Sequence, residues 1–361
     1  MKHLRLTAGI LLICTLFTGC GMSGNTGKEA TTEEAVVTSA VEVMESTLLE
    51  ETEPEFETIS NNQEGHYTFQ PHVFGSRYLE EFGEEMRDVF YAYCDAVRKG
   101  EDTFSCPDQD TLDWCVGRIG HFFFPVAGEY VDSGVWEDGI ARIHYKIPKK
   151  KFLRKEKKFE KAITDILNDC LSDDYNDLEK ILALYEYMTT QYTYDYVMYD
   201  HTVDWMDKQS SYRCLTEKQG ICNEIASLYS YLLLQVGIDS EEMGGFTYVE
   251  DGISEGHSWV YVTLDGESYH IDPTYGLTTG RPPLCYFMMT DEIRETRDWF
   301  PREDYSLGAK GDESRDFFTF EASSNKYSPL WDGEYVGMDR ENHEIVYQDL
   351  DGTIKRFSYD D

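Results

Sequence analysis

GHSWVYVTLDGESYHIDP, residues 256–273, reads as a β-hairpin with one chemically loaded face. Val260, Val262 and Leu264 alternate with Trp259, Tyr261 and Thr263, the two-residue period of a half-buried strand. Asp265-Gly266 is a two-residue hairpin turn, and the return strand runs from Glu267 through Tyr269, His270 and Ile271 to Asp272, where Pro273 ends it. With Leu264 opposite Glu267, the numbers of facing residues sum to a constant. Trp259 then faces Asp272, and His257 lies one diagonal step from Asp272 on the same face. Diagonal neighbours sit about 7–8 Å apart at their backbones, within reach of an imidazole and a carboxylate leaning together. A slip of one residue would separate them.

Upstream, GICNEIASLYSYLLLQVG, residues 220–237, places Ile225, Leu228, Tyr229, Leu232, Leu233 and Val236 at steps of three and four before Gly237. That spacing predicts a helix of about four turns with a glycine cap and sets Cys222 at its N-terminus. There, unpaired N–H groups and the positive end of the helix dipole favour thiolate and can receive a developing oxyanion. Gly220 lets the backbone approach closely. A cysteine opening a buried helix is also a common packing residue, so Cys222 alone decides little. Followed by His257 and Asp272, it fits a nucleophile, a base and a carboxylate that fixes the base's tautomer.

Residues 212–275 resemble the bacterial transglutaminase-like superfamily. The resemblance is carried by Gly220-Ile221-Cys222, by Gly256-His257-Ser258-Trp259 and by Tyr269-His270-Ile271-Asp272-Pro273, with a helix at 178–191 and Tyr192-Thr193-Tyr194-Asp195 upstream. The chain departs from the family pattern at Ser258, where alanine is usual, and at Tyr275, where tryptophan is frequent. The resemblance implies an α+β fold of papain-like type, the nucleophile helix packed on an antiparallel sheet that bears His257 and Asp272. It implies thiol acyl transfer on peptide or carboxamide carbonyls, ending in hydrolysis as a protease or amidase, or in amine transfer as a transglutaminase. Gln191, Trp205 and Tyr212 are candidate oxyanion donors, Trp259 a candidate groove residue, and His270 a packed neighbour. Nothing resembles a calcium loop, and neither metal nor cofactor is implied. The rival class is a non-catalytic surface module that keeps the fold and binds a peptide or glycan.

Around this core, residues 66–172 read as an N-terminal α+β region. It holds a helix through Leu79, Phe82, Met86, Val89, Phe90, Tyr93 and Val97 closed by Gly100, a strand at 140–147, and a helix burying Phe159, Ile163, Ile166, Leu167 and Cys170. Lys149-Lys150-Lys151 reads as a solvated face. The catalytic core is placed at 173–315. It begins at Asp173-Asp174, read as flanking or capping a helix through Leu178, Ile181, Leu182, Tyr185 and Met188. Tyr192, Tyr194, Tyr196 and Tyr199 follow; aromatic clusters of this kind more often pack than bind. Residues 316–361 end the chain in a β-meander with strands at 334–338, 344–348 and 353–359, either completing the core sheet or forming a separate module.

The N-terminus reads as an export signal. Lys2 and Arg5 precede an apolar run at 6–17 too short to span a bilayer, and Phe17-Thr18-Gly19-Cys20 resembles the lipobox of bacterial lipoproteins. The signal is placed at 1–20, with Cys20 the lipidated residue. The expected location is lipid-anchored on the extracytoplasmic face of the cell membrane, with a peptide, protein or cell-wall peptide as substrate. An ordinary secretory signal with an incidental cysteine fits the same residues. Residues 21–65 are rich in Glu, Thr, Ser and Val, a composition that buries too little apolar surface to fold and reads as an acidic tether. The formal net charge of −37 opposes nucleic-acid binding, which needs clustered Lys and Arg. Of nine cysteines, six remain after Cys14, Cys20 and Cys222 are set aside. Their spacing shows neither a CxxC pair nor a disulfide framework, leaving pairing open and giving no zinc site.

Overall fold

The computed structural model describes residues 67–202, 208–249, 252–295, 299–301 and 321–360. The export signal, Cys20, the acidic 21–65 segment and Trp205 lie outside the described residues.

The N-terminal region opens with α1 (Ser76–Lys99), whose Tyr78, Met86, Phe90, Tyr93 and Val97 are buried and whose end is capped by Gly100. Gly83, at φ 76°, kinks this helix, a break that the apolar spacing alone did not reveal. A strand β1 (Thr103–Ser105) and short helices α2 (Gln109–Trp114), α3 (Gly120–Phe123) and α4 (Pro125–Tyr130) lead to β2 (Val131–Glu137) and β3 (Ile140–Tyr145). These strands form a sheet of order β1-β3-β2. The helix α5 (Lys149–Cys170) buries Phe159, Ile163, Ile166 and Leu167; its N-terminal lysines lie in the helix itself, with Lys150 exposed and Lys149 paired to Asp102.

α6 (Asp177–Gln191) is capped by Asn176 rather than by Asp173 or Asp174. Asn176 Oδ1 accepts from Glu179 N–H at 2.9 Å and Glu179 Oε2 from Asn176 N–H at 2.8 Å, a reciprocal cap that needs the three-residue spacing only Asn176 has. The chain continues through β4 (Thr193–Tyr194), α7 (Tyr196–Asp200), α8 (Ser211–Glu217) and β5 (Gln219–Gly220), β4 and β5 pairing in parallel. α9 (Cys222–Gln235) follows, with Ile225, Leu228, Tyr229, Leu232 and Leu233 fully buried.

α9 packs on the antiparallel sheet formed by β6 (Ser240–Val249), β7 (Gly252–Leu264), β8 (Glu267–Ile271) and, beyond the short helix α10 (Asp291–Glu295), β9 (Trp299–Pro301), in the order β8-β7-β6-β9. The β7–β8 register is the one read from the turn: Leu264 pairs with Glu267 and Val260 with Ile271, while Asp265 and Gly266 take φ 54° and 81° as a type I′ turn requires. Val260, Val262, Leu264 and Ile271 join the main core with α9. Trp259 and Tyr261, of opposite parity, pack with Met243 and Ala322 in a second cluster. The fold is therefore α+β, with the cysteine helix on an antiparallel sheet.

The chain closes with β10 (Gly333–Asp339), β11 (Glu344–Asp349) and β12 (Ile354–Ser358), a meander that forms its own sheet. It docks rather than extends the core sheet: Tyr335 N–H donates to Pro282 O at 2.8 Å, Trp331 Nε1–H to Phe287 O at 3.1 Å, and the Tyr359 hydroxyl to Glu179. Among the described residues, no disulfide joins any of the seven cysteines.

Candidate active site

The parallel β4–β5 pair delivers the chain to Cys222, with Tyr194 beside Gly220 and Asp195 N–H donating to Gly220 O at 3.0 Å. A side chain at 220 would begin 3.0 Å from Cys214 Sγ and 3.2 Å from Glu224 Cβ, so glycine is what lets the turn lie this tightly over α8 and the first turn of α9. Cys222 is half-buried at the helix N-terminus.

The helix start is held by a buried ion network. Glu224, in the third position of α9 and 2% exposed, accepts from Ile221 N–H at 3.1 Å and from Ser210 N–H at 2.9 Å. Arg213 on α8 grips both of its oxygens, Nε–H donating to Oε1 at 2.8 Å and a terminal nitrogen to Oε2, and reaches Asp195 Oδ2 at 2.8 Å. These carboxylates raise the Arg213 pKa despite the cost of its burial. Burial pushes Asp195 upward, but the Met198 N–H and the guanidinium outweigh it, and its pKa falls below the usual carboxylate range. Behind the network, burial raises Glu129.

His257 and Asp272 meet as the hairpin register requires. His257 Nε2 lies 2.6 Å from Asp272 Oδ2, both groups buried. The other carboxylate oxygen accepts from Thr274 N–H and Tyr275 N–H, each at 3.0 Å, so the turn after Pro273 fixes the plane of the acid. With Nε2 engaged by Asp272, Nδ1 is the nitrogen left for the hydrogen bond between His257 and Cys222. Burial alone would lower the imidazole pKa; the negative charge and hydrogen bond of Asp272, with those of Cys222, overcome it and raise it to about 10. The ring therefore holds its proton at neutral pH, between the Asp272 carboxylate and the Cys222 sulfur. Such a group can hand a proton to a leaving amine.

Around this pair, Tyr275 lies against the His257 ring at 4.7 Å between centroids and stacks on Tyr286 at 5.5 Å. Trp259 is 1% exposed, stacked 6.0 Å behind His257, and donates its Nε1–H to His270 Nδ1 at 3.0 Å. His270 in turn bonds Asp291 at 2.7 Å, and burial lowers its pKa. Trp259 thus backs the histidine instead of lining a groove. The reason is parity: it shares the hairpin face of His257, and Ala322 and Arg294 cover that face, the guanidinium 4.9 Å above the indole.

Two of the expected oxyanion donors are placed elsewhere. Tyr212 is buried, its ring 5.4 Å from Tyr130 and 6.1 Å from Phe159, because α8 turns that side against α4 and α5. Gln191 is exposed at the end of α6 and donates to the adjacent Thr190, the helix stopping before it can point inward. A side-chain amide that the sequence reading missed bonds the residue next to the nucleophile. Gln209 is buried, and its Oε1 accepts from Asn223 Nδ2–H at 3.1 Å, next to Cys222. Glu224 and Arg213 were also missed; the acid at the third position of a helix was the available signal for the first.

The family model for the Transglutaminase-like superfamily matches residues 164–273. Nothing among curated proteins matches the chain. Three solved structures are similar over parts of it. A candidate cysteine protease from Cytophaga hutchinsonii is 17% identical, over 35% of this chain and 39% of that one, with a TM-score of 0.26. A TGase is 14% identical, over 40% and 44%, with a TM-score of 0.28. Arylamine N-acetyltransferase C from Bacillus anthracis is 15% identical, over 54% and 90%, with a TM-score of 0.24. The chain spans less than half the length of the first two.

Proposed function

From the premise that residues 164–273 form a transglutaminase-like superfamily domain, we propose that the protein is a thiol acyl-transfer enzyme acting on peptide or carboxamide carbonyls. The observation that carries this reading is the Cys222, His257 and Asp272 arrangement, with the imidazole bonded on one side to the thiol and on the other to a carboxylate fixed by two backbone N–H groups. The Cys222 sulfur attacks the carbonyl carbon, forming a C–S bond. The C–N bond breaks as His257 gives its proton to the departing nitrogen, leaving a thioester and a neutral ring. Water or an amine then attacks the thioester, His257 takes its proton, and the sulfur leaves. Backbone N–H groups at the start of α9 are the available donors to the oxyanion.

Digestion of a peptide library with an added primary amine tests this. Products that depend on Cys222, either acids or amine adducts, are expected, and their ratio assigns hydrolysis or transfer. A library untouched by wild-type protein and by Cys222→Ala alike would leave the surface-binding alternative.

We further propose that Cys20 is lipidated and anchors the chain on the extracytoplasmic face of the cell membrane, supported by Phe17-Thr18-Gly19-Cys20 after a short apolar run. The mature protein's intact mass should correspond to a chain beginning at a diacylated Cys20. An unmodified N-terminus at another residue contradicts it.

A further inference from the structure

Directly after β4, the short helix α7 exposes a patch that the triad does not use. Tyr196, Val197 and Tyr199 are 71%, 64% and 41% exposed, in contrast to Tyr192 of the same tyrosine-rich segment, which is buried against Tyr187. The sequence expectation of packing thus holds for Tyr192 and fails for the α7 residues. Tyr196 and Tyr199 are gathered around Tyr194, with ring centroids 5.0 and 6.0 Å from it.

The position of this patch is set by the topology. β4 and β5 are parallel, so α7 and α9 both leave the same end of the ladder, and Tyr194 faces Gly220 across it. Paired strands lie about 4.8 Å apart. Cys222 is two residues past Gly220 and Tyr196 two residues past Tyr194, so the patch is within the span of a few substrate residues, each covering about 3.4 Å when extended. The linkage is also stiff. Asp195 caps α7 through Met198 N–H at 2.9 Å and is held by Arg213, the same guanidinium that holds Glu224 in the first turn of α9.

We infer that Tyr196, Val197 and Tyr199 form a specificity platform that takes a large apolar side chain of a peptide substrate, close to the residue acylated on Cys222. The inference rests on the acyl-transfer reading and adds its substrate class. An exposed aromatic and aliphatic patch next to a reactive group marks a binding surface more than a random surface residue does. Val197, the exposed residue that follows Tyr196, offers methyl groups and no hydrogen bond, which suits an apolar side chain better than the hydroxyls of a sugar ring. The net charge of −37 disfavours acidic peptides on the same surface.

The test uses the full chain with Tyr196→Ser, Val197→Ser and Tyr199→Ser combined, checked for an unchanged melting curve. Two peptide acyl donors are compared, differing only in Phe or Ser next to the reacting residue. KM for the Phe donor should rise about tenfold and that for the Ser donor less than twofold, with kcat nearly constant. A second arm reads binding of a dye-labelled Phe-bearing peptide amide to Cys222→Ala protein, with and without the platform substitutions. About tenfold weaker binding is expected whether or not turnover exists, so this arm separates failure of the platform from failure of the acyl-transfer reading. Equal KM changes for both donors, unchanged peptide binding, or a platform that instead loses binding of a labelled β-1,4-linked oligosaccharide would each overturn the inference.

Discussion

Asp272→Asn is expected to lower kcat about 10²–10⁴-fold with little change in KM, and His257→Ala at least as much. The carboxylate is positioned by Thr274 N–H and Tyr275 N–H and holds the imidazole at 2.6 Å, so an amide keeps the shape but can present N–H where the ring needs an acceptor. That forces the ring toward a wrong tautomer and removes the charge that keeps its proton in place. A 10⁴-fold loss corresponds to about 5.5 kcal/mol of transition-state stabilisation. Because the two groups act as one unit, the double variant His257→Ala with Asp272→Ala should be no slower than His257→Ala alone. Steady-state kinetics on a peptide donor found in the library digest checks this. Multiplicative losses in the double variant would mean that the residues act separately.

Glu224→Ala is expected to destabilise the fold by about 3–5 kcal/mol, the usual effect of removing one partner from a buried ion pair. Arg213, partly buried, would lose its two bonds to that carboxylate, and the buried Ile221 N–H and Ser210 N–H would lose their acceptors. Denaturant melts of the parent and Glu224→Ala chains read the difference. A change below about 1 kcal/mol would show that Asp195 and Glu217 suffice to hold the guanidinium. The pairing also joins α7, α8 and α9, so the substitution should loosen the seat of Cys222 along with the global fold.

The hairpin and the helix were legible because short-range rules set them. Asp265-Gly266 admits one tight turn, and one turn fixes the whole β7–β8 register and with it the meeting of His257 and Asp272. Apolar steps of three and four gave α9 and put Cys222 at its head. What escaped notice depends on partners far along the chain. Trp259 shares the face of His257, but that this face is covered follows from Ala322 and Arg294, whose approach no local pattern announces. Tyr212 and Gln191 are candidates by residue type, whereas the turn of α8 and the end of α6 aim them elsewhere. Arg213 joins residues 195 and 224, a long-range match of charges that sequence order conceals.

The central claim concerns the proton between sulfur and ring, and the rate at which iodoacetamide alkylates Cys222, followed site by site by mass spectrometry against pH, tests it most directly. A pKa raised to about 10 means that His257 keeps its proton through neutral pH and loses it only as pH climbs through that value. At pH 7 the sulfur beside this cation should be alkylated at least about tenfold faster than in His257→Ala, where the cation is gone, and the two rates should converge as pH climbs toward that value. A wild-type profile identical to that of His257→Ala would contradict the account.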